Sequence, residues 1–88
     1  MHNTRTDVNW LLLMSLRRPE IDWKAVGRRI RQLRGFDLTQ EAFAGQIGIS
    51  QSQLSRYEKG KSEIGADVLL RLADECGKSV EWLLTGKE

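Results

Sequence analysis

With 88 residues, 40% of them hydrophobic and 30% charged, the chain has the balance of an ordinary globular domain. It holds one small core that buries roughly 60–65% of the unfolded surface. The sequence has no apolar run of about 20 residues and so predicts no membrane span; its single cysteine, Cys76, excludes an internal disulfide, and its single His2 leaves no metal cluster. The net charge of +2 is uneven: Arg17, Arg18, Lys24, Arg28, Arg29, Arg31 and Arg34 face two acids, Glu20 and Asp22, whereas acids prevail from Ser62 onward. Such a gradient either orients a molecule toward a polyanion or reflects one solvated helix face.

Residues 1–19 form an extension, closed by the only proline, Pro19. Asp7 ahead of its apolar run, and Arg17-Arg18-Pro19 where small residues would sit, argue against a secretory signal. Val8, Trp10, Leu11, Leu12, Leu13, Met14 and Leu16 would cover more than one face of a helix. The surplus predicts an added helix whose Trp10, Leu11, Leu13 and Met14 contribute to a homodimer. A helix that enlarges the monomer core, or a disordered tail, are the alternatives.

Residues 20–88 read as a domain of five helices and no strand. The first runs 22–34, capped by Asp22 and stopped by Gly35, with Trp23, Val26, Ile30 and Leu33 as one apolar stripe. The second covers about 39/40–47, with Thr39 as cap, Glu41 favourable to the dipole, and Phe43, Ala44 and Ile47 inward. Gly45 within it costs about 1 kcal/mol against Ala, and Gly48 ends it. The third starts at Ser50 or Gln51 and reaches 59–60, with Leu54 and Tyr57 expected to be buried and an otherwise polar surface. The fourth spans about 66–76, with Val68, Leu69, Leu72, Ala73 and Cys76 inward. Ser79 caps the last, which carries Val80, Trp82 and Leu83 and closes at Gly86. Cys76 reads as a small core hydrophobe, and Trp23, Phe43, Tyr57 and Trp82 as core aromatics.

The segment 39–61, TQEAFAGQIGISQSQLSRYEKGK, matches what major-groove reading requires. A groove about 12 Å wide admits one helix. A second helix packed across it must hold it off the core, the joint must be tight (Gly48), and the helix contact must be close, which assigns Ala44 to it. Gln51, Ser52, Ser55 and Arg56 supply donors and acceptors on the protruding surface: Gln pairs bidentately with adenine and Arg with guanine.

At LTQEAFA, GISQSQLSRYEKGK and SVEWLLTG, in that order and spacing, the sequence resembles the phage-repressor/Cro-type, or Xre-like, helix-turn-helix domains, from about Trp23 to Gly86. The resemblance implies an all-α, five-helix lambda-repressor-like bundle, here with the N-terminal extension added. It implies base reading by Gln51, Ser52 and Arg56, with Ser55 a weaker candidate. Gln40 would hold a phosphate and brace Gln51, and Thr39, Ser50, Gln53, Lys59 and Lys61 fall where backbone contacts are common. Arg34 and Glu58 resemble the family's buried pair linking the first and third helices. The loop 35–38 is one residue shorter than is common, Ser52 is short enough to need a bridging water, and residues 1–19 have no counterpart.

The implied function is a sequence-specific double-stranded DNA-binding transcriptional regulator, a repressor, acting as a homodimer on a near-palindrome, cytoplasmic and nucleoid-associated in a prokaryote or phage. No catalytic constellation, cofactor or metal is expected. Two alternatives remain: the DNA-binding antitoxin of a toxin–antitoxin pair, with a small toxin as partner, and a protein-interaction module of the same fold that does not bind DNA.

Overall fold

Local capping chemistry sets the element boundaries. The computed structural model describes residues 20–88, in which Asp22 Oδ1 accepts from Ala25 N at 3.1 Å and opens helix α1, Trp23–Arg34. Thr39 Oγ1 accepts from Ala42 N at 3.1 Å at the head of α2, Gln40–Gln46. Helix α3, Gln51–Glu58, begins with a reciprocal box: Ser50 Oγ accepts from Gln53 N and Gln53 Oε1 accepts from Ser50 N, each at 3.1 Å. Helix α4, Ala66–Cys76, has Gly65 as its N-cap without a side-chain bond. Ser79 caps α5, Val80–Thr85, by accepting from Trp82 N at 2.9 Å. Among the described residues there is no strand, and no helix is long and apolar enough to cross a membrane. The expected dimerisation residues Trp10, Leu11, Leu13 and Met14 lie outside the described residues.

The apolar stripes converge on one core: Val26 and Ile30 from α1, Phe43 and Ala44 from α2, Ile47 after it, Leu54 from α3, Val68, Leu69 and Leu72 from α4, and Leu83 from α5. Ile64, in the link between α3 and α4, plugs the same core; it belongs to no helical period, so spacing alone did not mark it. Trp23, Tyr57, Trp82 and Cys76 pack against the edge of the core. Burial, aided by the charge of Glu75, raises the Cys76 thiol above its ordinary value, as suits a packed rather than a reactive cysteine. The closely paired helices are α1 with α3, α2 with α3, α1 with α5, and α4 with α5.

One expectation needs correction. Tyr57 is half-buried, not a second core anchor of α3. The backbone at the end of α3 lies against α1 at Gly27. A Cβ on Gly27 would lie 2.4 Å from the Tyr57 carbonyl oxygen and 2.5 Å from that of Glu58. The tight α1–α3 crossing therefore depends on Gly27 in α1, a separate contact from that of α2 with α3, where Ala44 is buried.

Candidate nucleic-acid interface

Helices α2 and α3 meet through the short turn 47–50. Gly48 adopts φ 72°, in the left-handed region that suits glycine, and Ile49 N donates back to the Ala44 carbonyl at 3.0 Å. Ile49 packs half-buried against the core. From this joint α3 presents Gln51, Ser52, Gln53 and Arg56 to solvent, with Leu54 fully buried beneath and Ser55 half-buried. Lys59, the C-cap of α3, and Lys61 continue the exposed basic edge.

A connected set of polar side chains runs from α1 to the first turn of α3. Arg34 grips Glu58 in a two-pronged ion pair, Nε to Oε2 at 2.7 Å and Nη2 to Oε1 at 3.0 Å, while its Nη1 donates to the Leu38 carbonyl at 2.9 Å. The side chains are 16% and 4% exposed, so this pair is shielded from water and unlike a surface ion pair. Its hydrogen bonding to Glu58, opposed by burial and helped by the carboxylate's charge, holds the Arg34 guanidinium above its ordinary pKa. Gln40 Nε2 then donates to Glu58 Oε1 at 3.0 Å, and Gln51 Nε2 donates to Gln40 Oε1 at 2.8 Å.

The order of donors and acceptors in this chain follows from chemistry. An ionised carboxylate only accepts, so Gln40 must turn its amide nitrogen toward Glu58 and its oxygen toward Gln51. Gln51 must answer with its own nitrogen. Its Oε1 and one remaining N–H then have no partner among the described residues, and the side chain is exposed. An acceptor beside a donor is the pattern that complements the N6 amine and N7 of adenine.

The other sequence-predicted residues fall into two groups. Thr39, Ser50 and Gln53 lie exposed at the starts of α2 and α3, where their oxygens also serve as caps. Ser52, Arg56, Lys59 and Lys61 are exposed and make no side-chain bond among the described residues. Of the arginines on α1, Arg29 is committed to the fold: its Nη1 donates to the Leu83 carbonyl at 3.0 Å. Arg28 and Arg31 line an open cleft with Gln32, Arg34, Gly35 and Phe36, whose ring is fully exposed.

Sequence reasoning missed Gly27, discussed above, and Arg71 of α4, whose guanidinium reaches the carbonyls of the α2–α3 turn. Neither has a local signal, because each acts on backbone 23 or more residues away. Among the described residues no group of three or more His, Cys, Asp or Glu could hold a metal ion.

Comparison with known proteins agrees with this geometry. A helix-turn-helix family model matches residues 28–83. An uncharacterized HTH-type transcriptional regulator, y4aM of Sinorhizobium fredii, is 42% identical over 50 residues, 56% of this chain and 35% of that protein. The antitoxin PezA of Streptococcus pneumoniae is 44% identical over 45 residues, 50% of this chain and 28% of that protein. The chain thus spans about a third of the length of these two curated relatives. Among solved structures, the P22 c2 repressor in complex with a synthetic operator superposes with a TM-score of 0.66 at 30% identity, over 70% of this chain and 96% of that one. With the family model spanning more than half its length and a repressor sharing its fold, the chain belongs to the helix-turn-helix family of the phage-repressor and Cro type.

Proposed function

We infer that the protein is a sequence-specific double-stranded DNA-binding transcriptional regulator, a repressor, that works as a homodimer at the nucleoid in the cytoplasm. The observation that carries this reading is the Arg34–Glu58–Gln40–Gln51 chain, which spends three buried or half-buried side chains on orienting one exposed amide. A merely solvated helix face has no use for that order.

In this reading α3 enters the major groove. Gln51 pairs with adenine, Arg56 pairs with guanine, and Ser52 reaches a base edge directly or through water. Ser55, being half-buried, contributes least. Thr39, Gln40, Ser50, Gln53, Lys59 and Lys61 hold phosphates and set the register, which carries no sequence information itself. Two protomers place their α3 helices in successive major grooves about 34–36 Å apart, reading a near-palindrome.

Selection of bound duplexes from a random pool tests the reading. Enrichment of a symmetric site with half-sites one helical turn apart is expected. Absence of any preferred sequence would refute it and favour a protein-interaction module of the same fold. The similarity to PezA favours one second reading, a DNA-binding antitoxin. Expression beside the neighbouring open reading frame separates the two, since an antitoxin relieves that product's growth arrest.

A further inference from the structure

Arg71 of α4 reaches across to the α2–α3 turn. Its Nη1 donates to the Ile47 carbonyl at 3.1 Å and the Gly48 carbonyl at 3.3 Å, and its Nη2 pairs with Asp67 Oδ2 at 3.0 Å. Ile47 is the C-cap of α2. Carbonyls at a helix C-terminus lack intrahelical donors and carry the negative end of the dipole, so a guanidinium there satisfies both needs. Asp67, one turn earlier on α4, sets the direction of the fork. A Cβ on Gly48 would lie 2.8 Å from Arg71 Nη1, which shows how closely the guanidinium sits against the turn.

The exposures, 47% for Arg71 and 72% for Asp67, make the ion pair itself a minor contributor to stability. Its consequence is positional. Helix α4 packs closely with α5, whereas α2 packs closely with α3. Arg71 is a polar tie between these two pairs, and it lands on the joint that sets the angle of α3.

We propose that Arg71 is a positioning residue for the reading helix: by pinning the carbonyls of Ile47 and Gly48 it fixes the direction in which Gln51 and Ser52 project. This rests on the DNA-reading function proposed above. The two restraints are complementary. The Glu58–Gln40 relay sets which way the Gln51 amide faces, and Arg71 sets where the helix that carries it points.

The test uses the full chain and two variants. Arg71→Met keeps an unbranched apolar stem and removes every donor, and Arg71→Lys restores one charged donor. Amide hydrogen exchange is read at Ile49, in the turn, against Ile30 in the core. Affinity is read on the duplex recovered by selection and on an unrelated duplex of equal length, across a salt series. Arg71→Met is expected to speed Ile49 exchange roughly tenfold relative to Ile30, and to weaken binding to the selected duplex by about the same factor. The unrelated duplex should bind as before with an unchanged salt slope, and Arg71→Lys should recover part of both losses.

Equal acceleration at Ile49 and Ile30 would overturn the proposal by reducing Arg71 to a general stabiliser. Equal loss on both duplexes, with a salt slope smaller by about one, would overturn it by making Arg71 a phosphate contact. If selection recovers no preferred duplex, the DNA reading falls instead, and the exchange ratio still decides whether Arg71 pins the turn.

Discussion

Replacing Glu58 with Gln changes one oxygen to an NH2 group and removes one charge. Its effect should appear in two separate measurements. In the native protein the carboxylate accepts three hydrogen bonds, two from Arg34 and one from Gln40, and its side chain is 4% exposed. A Gln at this position has one acceptor oxygen to divide among those donors, and its NH2 confronts either the Arg34 guanidinium or the Gln40 NH2. Breaking a fully buried ion pair by removing one partner costs about 3–5 kcal/mol. Arg34 is 16% exposed and keeps its bond to the Leu38 carbonyl, so the expected cost is lower, about 2–3 kcal/mol, the scale of a lost charge-assisted hydrogen bond. For a domain of this size that lowers Tm by about 10–20 °C. The second effect is on reading. Without a carboxylate that only accepts, Gln40 is free to turn its amide over, and Gln51 follows. Discrimination for adenine at the Gln51 position should fall by about 1 kcal/mol or more, out of the 1–3 kcal/mol of a good bidentate pair. Thermal denaturation measures the first effect. A duplex set varied at each base pair of the selected site, assayed below the variant's Tm, measures the second. A Tm within 3 °C of the parent, together with unchanged adenine preference, would refute the argument that this chain orients the amide.

Four further substitutions address the rest of the structure. Gly27→Ala places a methyl group 2.4 Å from the Tyr57 carbonyl oxygen and should cost about 1–3 kcal/mol by forcing α1 and α3 apart; urea denaturation with an unchanged midpoint would contradict the close crossing. Gly45→Ala should instead stabilise by roughly 0.5–1 kcal/mol, because a Cβ there meets no atom within 4 Å and its φ is not positive; a lower Tm would show that Gly45 is needed for another reason. Arg56→Ala should cost about 1–3 kcal/mol on the preferred site and relax preference at one base pair, whereas equal loss on every sequence would remove it from base reading. Lys61→Ala should weaken binding evenly and reduce the salt slope by about one per protomer; an identical slope would exclude a phosphate contact.

The residues of the proposed site were legible in the sequence to different depths. Gln51, Ser52 and Arg56 could be placed on an exposed helix face because their neighbours Leu54 and Gly48 mark the inward side and the turn. Gln40, Arg34 and Glu58 came through the family resemblance alone: residues 40 and 58, or 34 and 58, have no local spacing that pairs them. Nothing in the order of residues could say which way the two glutamine amides face, since that depends on one carboxylate meeting both elements in space. Gly27 was illegible for a related reason. Within its own helix it is only a weak helix former, and its value lies in the carbonyls of Tyr57 and Glu58 about 30 residues later.

Among the described residues, the sequence by itself determined the five helices and, to within a residue or two, their limits. Asp22, Thr39, Ser50 and Ser79 bond backbone three residues on, and Gly77 takes the left-handed conformation that ends α4. These are interactions within one turn of chain, so residue order suffices to find them. The tertiary structure alone decided the close α1–α3 crossing at Gly27, the fixed polarity of the Gln40–Gln51 pair, and the grip of Arg71 on the turn. Each of these joins groups far apart in the chain, and a hydrogen bond or a steric contact depends on distance and direction in space.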